Sequence, residues 1–231
     1  IDHLVVAAHS LQQGVEWCEA TLGITPAAGG EHEKYGTHNR LFKIATPAFP
    51  VAYFEIIAIN PDAVIEKKPP PTRWFDLDNP QIQAELAKSP RLVHFVANTD
   101  SIQDARHAWK NQGIDRGPII HASRKTPKGL LQWQITVRPD GDRLFNGTLP
   151  TLIQWGKPDD AEPMRLHPRH SLPRSGVSLQ NITVSHPSSE KLTNAFEAVH
   201  LKDIEVSNGA ATISATLQTP KGLVVLQSCG V

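Results

Sequence analysis

Gly36-Thr37-His38-Asn39-Arg40-Leu41-Phe42, followed by Tyr53-Phe54-Glu55-Ile56-Ile57-Ala58, decides how the rest of the chain is read. A Gly-Thr-X-Asn turn feeds one apolar strand, and a second apolar strand carries a single carboxylate. Burying an unpaired charge among Tyr, Phe and Ile is costly. Glu55 therefore either points outward on an alternating strand or meets something cationic inside.

Outward from that stretch the order of elements repeats. Ile1–Ala8 reads as a buried strand. Ser10 with Gln13 is a capping-box start, and Leu11, Val15, Cys18 and Leu22 fall on one helical face that Gly23 terminates. Gly29-Gly30 is read as a hairpin leading into the 39–45 strand, and 52–59 closes the unit. Residues 61–90 form a proline-rich linker (Pro61, Pro69, Pro70, Pro71, Pro80, Pro90), with Asn79-Pro80 opening a short helix. A second unit spans 91–157: a strand at 91–97, a helix capped by Asp100 and stopped at Gly113, then strands near 119–123, 130–137 and 149–155. A tether at 158–176 carries Pro158, Pro163, Pro168 and Pro173 and is expected to be extended. A third unit, 177–231, repeats the order with a helix after Ser188. Superposing the first two units by their leading strands places His3 on His94, and by their closing strands Glu55 on Gln154. Three passes of one pattern indicate units that bury their apolar faces against one another.

Composition narrows the classes. The 231 residues hold 39% hydrophobic and 20% charged residues, ordinary for a globular protein. Lys+Arg and Asp+Glu both number 23, so no basic excess points to nucleic acid or a membrane surface. No apolar run reaches the ~18 residues of a membrane span. Two cysteines, Cys18 and Cys229, give no disulfide framework, so a reducing, cytoplasmic setting is expected.

The chain resembles the glyoxalase-like proteins of the vicinal-oxygen-chelate superfamily. The resemblance rests on Ile1-Asp2-His3-Leu4-Val5-Val6, Gly36-Thr37-His38-Asn39, Tyr53–Ala58, Arg138-Pro139-Asp140-Gly141 and Leu149–Gly156, and covers residues 1–156. It implies an α+β fold in which paired βαβββ modules form an open barrel-like sheet, here with a third βαβββ module appended. It also implies a divalent metal (Fe, Zn, Mn, Ni or Co) in the cleft, held by His3, Glu55, His94 and Gln154. Two imidazoles and a carboxylate suit such ions, and the metal would act as a Lewis acid toward two substrate oxygens. The activity implied is a lyase, isomerase or dioxygenase on a small molecule, with Glu55 as the catalytic base. An amide at Gln154 cannot serve as the base that glyoxalase I chemistry needs there. The alternative is a metal-free protein that binds or sequesters a small ligand, as the bleomycin-resistance members do.

His38, Asn39, Arg124 and Trp133 are the candidate substrate-binding residues. Arg124 could pair with a substrate carboxylate, or sit as an exposed edge residue beside Lys125 and Lys128. Trp133 and Trp74 either wall the pocket or belong to the core. Trp155, alternating with Gln154, is expected beneath a helix, His167 and His170 in solvent, and Cys18 as a buried inert thiol. The third unit places Asn181 where the first has His3, so no metal site is expected there. Its open face suggests either packing on the first two units or a homodimer.

Overall fold

The computed structural model describes residues 1–65, 72–126, 129–156 and 166–228. Pro69, Pro70, Pro71, Lys128, Pro158, Pro163 and Cys229 lie outside the described residues. The first βαβββ set is β1 (His3–Ala7), α1 (Leu11–Leu22), β2 (Ala27–His32), β3 (Thr37–Lys43) and β4 (Tyr53–Ile59). After α2 (Pro80–Lys88) comes the second: β5 (Arg91–Asn98), α3 (Ile102–Asn111), β6 (Ile119–Thr126), β7 (Gly129–Thr136) and β8 (Thr151–Trp155). The third is β9 (Ser178–Ser185), α4 (Ser189–Ala198), β10 (Glu205–Ser207), β11 (Thr212–Thr219) and β12 (Gly222–Gln227).

Local chemistry sets the helix ends. Ser10 Oγ accepts from Gln13 N at 3.1 Å, and Gly23 takes a left-handed φ of 75° while its N–H closes onto Cys18 and Glu19 carbonyls. Asn79 caps α2 with Pro80 in the first turn. The cap of α3 is Ser101 rather than Asp100. The expected hairpin forms between β2 and β3, but the Gly29-Gly30 pair is not its turn. It sits inside β2 where the register to β3 slips between Ala28 and Glu31, a bulge, and the chain turns at residues 33–36.

The first two sets share one curled eight-stranded sheet, ordered β2-β3-β4-β1-β5-β8-β7-β6. They meet at its centre, where β1 runs antiparallel to β5 with His3 opposite Val96 and Val5 opposite His94. Each closing strand lies parallel to its leading strand, β4 to β1 and β8 to β5. The sheet's two end strands approach each other across the concave side. A Cβ on Gly30 of β2 would lie 1.8 Å from the Arg124 guanidinium of β6.

Alternation along the strands divides the apolar residues in two. On the convex side Leu4, Val6, Phe54, Ile56, Phe95 and Leu152 pack under α1 and α3 in one core with Leu179, Ile182, Phe196, Ile213 and Leu217 of the third set. Trp109 joins them, its Nε1 donating to Ala195 O at 2.7 Å. The third set thus covers its apolar face with the first two. Cys18 is fully buried in this core, and burial pushes its thiol up to about 12. The concave side holds Val5, Tyr53, Ile57, Val96, Ile135, Ile153 and Trp155, closed by Trp74, Phe75 and Leu77 from the segment before α2. Phe75 and Asp76 both adopt left-handed φ (58° and 54°), unusual for side chains of that size. Arg143 holds the bend through Asp76 Oδ2 at 2.7 Å and Val93 O at 2.9 Å.

Candidate active site

A cavity of about 50 Å³ opens on the concave side, lined in part by His3, His32, Asn39, Tyr53, Glu55 and Arg124. Its polar end lies in the first half of the sheet. Glu55 on β4 is 5% exposed and His3 on β1 is 4% exposed. His3 Nε2 stands 3.5 Å from Glu55 Oε2. Its Nδ1 donates to Asp2 Oδ1 at 2.7 Å, which aims Nε2 at the cavity and Glu55. In the neutral ring two acceptors then face each other, so a proton or a bound donor belongs between them.

Asn39 on β3 sets the other oxygen. Gly30 N–H donates to Asn39 Oδ1 at 2.8 Å, which turns Nδ2 toward Glu55 Oε1 at 2.5 Å. The same Nδ2 lies 3.4 Å from His32 Nε2, and His32 Nδ1 is 3.0 Å from Thr37 Oγ1. Burial lowers the His32 ring to about 4, with Arg124 adding and Glu55 opposing. His32 is therefore neutral at physiological pH, accepting at Nε2.

The β2 bulge is needed for this geometry. A Cβ on Gly29 would fall 2.0 Å from Asn39 Oδ1 and 2.3 Å from its backbone oxygen. Gly29→Ala is expected to destabilise the protein by about 1–3 kcal/mol, read as a lower thermal midpoint. Gly30→Ala meets only the mobile end of Arg124 and should cost much less.

Asp2 anchors the wall behind His3. It is 0% exposed, and its Oδ2 accepts from Asn98 Nδ2 (2.8 Å), Trp155 Nε1 (2.8 Å) and His167 Nε2 (3.1 Å). Burial by itself would raise this carboxyl; His167 and His3 overcome it and hold it well below the usual carboxylate range. His167 is not solvated. It is 5% exposed and packs against Trp155 at 4.9 Å and Tyr53 at 5.8 Å.

Of the expected residues, the structure brings together His3, Glu55, Asn39, Arg124 and Trp133. His94 and Gln154 are placed elsewhere. His94 is fully buried, with Nδ1 donating to Gly147 O at 2.9 Å and Nε2 accepting from Thr151 N at 3.0 Å. Burial, with Arg116 second, holds its ring well below the ordinary value. Gln154 points to the convex side, where Oε1 accepts from Ile102 N at the start of α3 at 2.9 Å. Trp155 takes the concave face and lines the cavity, the reverse of the expected alternation. His38 alternates with Asn39 and does not line the cavity.

The sheet register explains the difference. Ala8 N donates to Ile57 O, and its counterpart Thr99 N donates to Ile153 O, both at 2.9 Å. Ile57 thus matches Ile153, and two residues back Glu55 matches Thr151, not Gln154. Asn39 pairs with Ile57 as Ile135 pairs with Ile153, so Asn39 matches Ile135. The second half repeats His3–Glu55–Asn39 as His94–Thr151–Ile135. The Arg116 guanidinium donates to Thr151 Oγ1 and Pro150 O there, filling the second half with a fixed cation.

The four donors expected for a divalent metal therefore do not form one set. Among the described residues, no three His, Cys, Asp or Glu side chains stand as a group that could hold an ion. The residues present do not fit that four-donor centre. His32, Asp2 and His167 were missed from sequence. His32 alone had a local signal, Gly29-Gly30-Glu31-His32 ahead of the Gly-Thr-X-Asn stretch, whose Thr37 and Asn39 lie in β3 rather than in a turn.

A curled sheet of two βαβββ halves around a concave cleft is the architecture of the vicinal-oxygen-chelate superfamily. Within it, the chain belongs to the glyoxalase-like domain family, whose model matches residues 1–200. A search of curated proteins finds no match. Among solved structures it is similar to a hypothetical protein from Staphylococcus aureus, at 17% identity and TM-score 0.56, covering 98% of this chain and 84% of that one. It is also similar to Streptomyces coelicolor methylmalonyl-CoA epimerase in complex with 2-nitronate-propionyl-CoA (17% identity, TM-score 0.41, 67% and 92% covered). Methylmalonyl-CoA epimerase from Mycobacterium tuberculosis follows (16%, TM-score 0.37, 66% and 85%).

Proposed function

We propose that this protein is a small-molecule isomerase or lyase that moves a proton on a carbon next to an oxygenated carbon, using Glu55 and His3. The observation that carries the reading is the buried Glu55–His3 pair at 3.5 Å on a cavity wall. Asn39 holds Glu55 Oε1, which leaves Oε2 to take a proton from substrate carbon. His3, held by Asp2 through Nδ1, presents Nε2 to the adjacent substrate oxygen. As imidazolium it gives that oxygen a proton while Glu55 takes the one from carbon. Delivery of the Glu55 proton to the neighbouring carbon, while His3 takes a proton from the oxygen on the first, completes an isomerisation, and departure of a neighbouring group completes an elimination. A dioxygenase-type set of two imidazoles and one carboxylate finds no support here, since His94 bonds to Gly147 and Thr151.

A second reading, metal-free binding or sequestering of a small ligand, is favoured by the aromatic wall of Trp74, Phe75, Trp133 and Trp155. Proton NMR in D2O separates the two. The protein is incubated with small 2-oxo and 2-hydroxy acids, and loss of the signal from the hydrogen on the carbon beside the oxygenated one is followed. Enzyme-dependent exchange supports the catalytic reading. Tight binding with no exchange of any compound supports the second.

A further inference from the structure

We propose that Arg124 is the anchor for a substrate monocarboxylate, and that the substrate carries a planar apolar body held between Trp74 and Trp133. The proposal rests on the cleft being the ligand site, not on Glu55 acting as a base.

Arg124 sits where the eight-stranded sheet fails to close. Its strand β6 is one end of the sheet, and β2 is the other. The guanidinium reaches across that seam, and only the missing side chain of Gly30 leaves room, since a Cβ there would lie 1.8 Å from Nη1. The same side chain lines both the inner cavity with His3 and Glu55 and an outer groove with Tyr35 and Lys125. It therefore stands at the junction between the reacting groups and the entrance.

Among the described residues nothing takes the donors of its guanidinium: the Arg124 side chain makes no hydrogen bond and no ion pair, its backbone being paired opposite Leu131 in the sheet. Arg73, Arg91, Arg138 and Arg143 each pair with a carboxylate, and Arg116 is bonded to Pro150 O and Thr151. A guanidinium left open on a cavity wall presents a planar fork that matches the two oxygens of a carboxylate. Glu55 shares the cavity, and His32 is neutral there. The Arg124 guanidinium shares the cavity with the Glu55 carboxylate, which would repel a dianionic phosphate more than a ligand of a single negative charge.

The walls specify the rest of the ligand. Trp74 stacks on Tyr35 at 4.4 Å and packs on Phe75 at 5.7 Å, and Trp133 packs on Trp155 at 5.6 Å. These rings are fixed by their neighbours and offer flat apolar surface to a planar group. Trp74 Nε1 is also buried without a hydrogen-bond partner among the described residues, an unmet donor in the same wall.

The test is a titration followed by tryptophan fluorescence and calorimetry. The probes are phenylpyruvate, phenylacetate, phenylacetamide and phenyl phosphate. The variants are Arg124→Gln, Arg124→Lys, Gly30→Ala and Glu55→Gln, each checked for an unchanged thermal midpoint. Phenylacetate should bind about tenfold to a hundredfold tighter than phenylacetamide. Arg124→Gln should erase that preference, Arg124→Lys should restore part of it, and Gly30→Ala should weaken it by displacing the guanidinium. Glu55→Gln should retain it. Equal binding of acid and amide, tighter binding of phenyl phosphate, a preference that survives Arg124→Gln, or no binding by any probe would overturn the proposal. Carboxylate preference without proton exchange would sink only the catalytic reading, and exchange without carboxylate preference would sink only this one.

Discussion

Replacing Asp2 with alanine is expected to lower the free energy of unfolding by about 3–5 kcal/mol. The carboxylate is 0% exposed and joins four elements: His3 in the leading strand, Asn98 at the end of β5, Trp155 at the end of β8, and His167 beyond the second half. Removing it leaves two imidazoles, an indole N–H and an amide facing an empty buried site, each losing its acceptor. Urea unfolding followed by tryptophan fluorescence measures the loss. The same substitution frees His3 Nδ1, so the folded fraction of the Asp2→Ala variant should show slower proton exchange than wild type.

The pH dependence has a definite sign. Asp2 is held below its ordinary range in the fold, so its contribution is present above the unfolded carboxylate pKa of about 4 and is lost as pH falls toward the folded value. His32, lowered to about 4, and His94, also lowered, act in the same direction at higher pH. In the unfolded chain both rings take up protons below about 6.5 that the fold refuses. Stability should therefore decline on acidification from about pH 6.5 and fall further below about pH 4. A midpoint that rises between pH 6 and pH 4 would contradict this.

Glu55→Gln is expected to reduce proton exchange by about 10²–10⁴-fold while the protein stays folded. The amide keeps the shape of the side chain, its oxygen still accepts from Asn39, and its NH2 can donate to His3 Nε2. Removing the charge thus spares the local bonds and takes away the proton acceptor. Exchange in D2O and the thermal midpoint, measured on one preparation, separate a chemical loss from a structural one. An unchanged exchange rate would remove Glu55 from the reaction.

Much of the fold was legible because each unit states its order locally. Ser10 with Gln13, Gly23, and Asn79 with Pro80 mark helix ends in the structure as in the sequence. Glu55 within an apolar strand announced a buried partner, and His3 is beside it. The second half was misread because residue types alone do not fix which residue of β8 answers Glu55. That depends on how β8 lies along β5, a register set by hydrogen bonds across the sheet, and it selects Thr151. A slip of three residues reverses the face of every side chain, which is why Gln154 and Trp155 exchanged places. His167 and Phe75 had no local signal. Both lie in proline-containing segments, and only long-range packing brings them to the cleft.

A crystal structure of the protein with phenylpyruvate bound tests the one-sided cleft most directly. The ligand should lie against Trp74 and Trp133, with its carboxylate on Arg124 and its methylene carbon facing Glu55 and His3. His94 should keep its bonds to Gly147 and Thr151, and Gln154 its bond to Ile102. A ligand or ion held jointly by His3, His94 and Gln154 would contradict it.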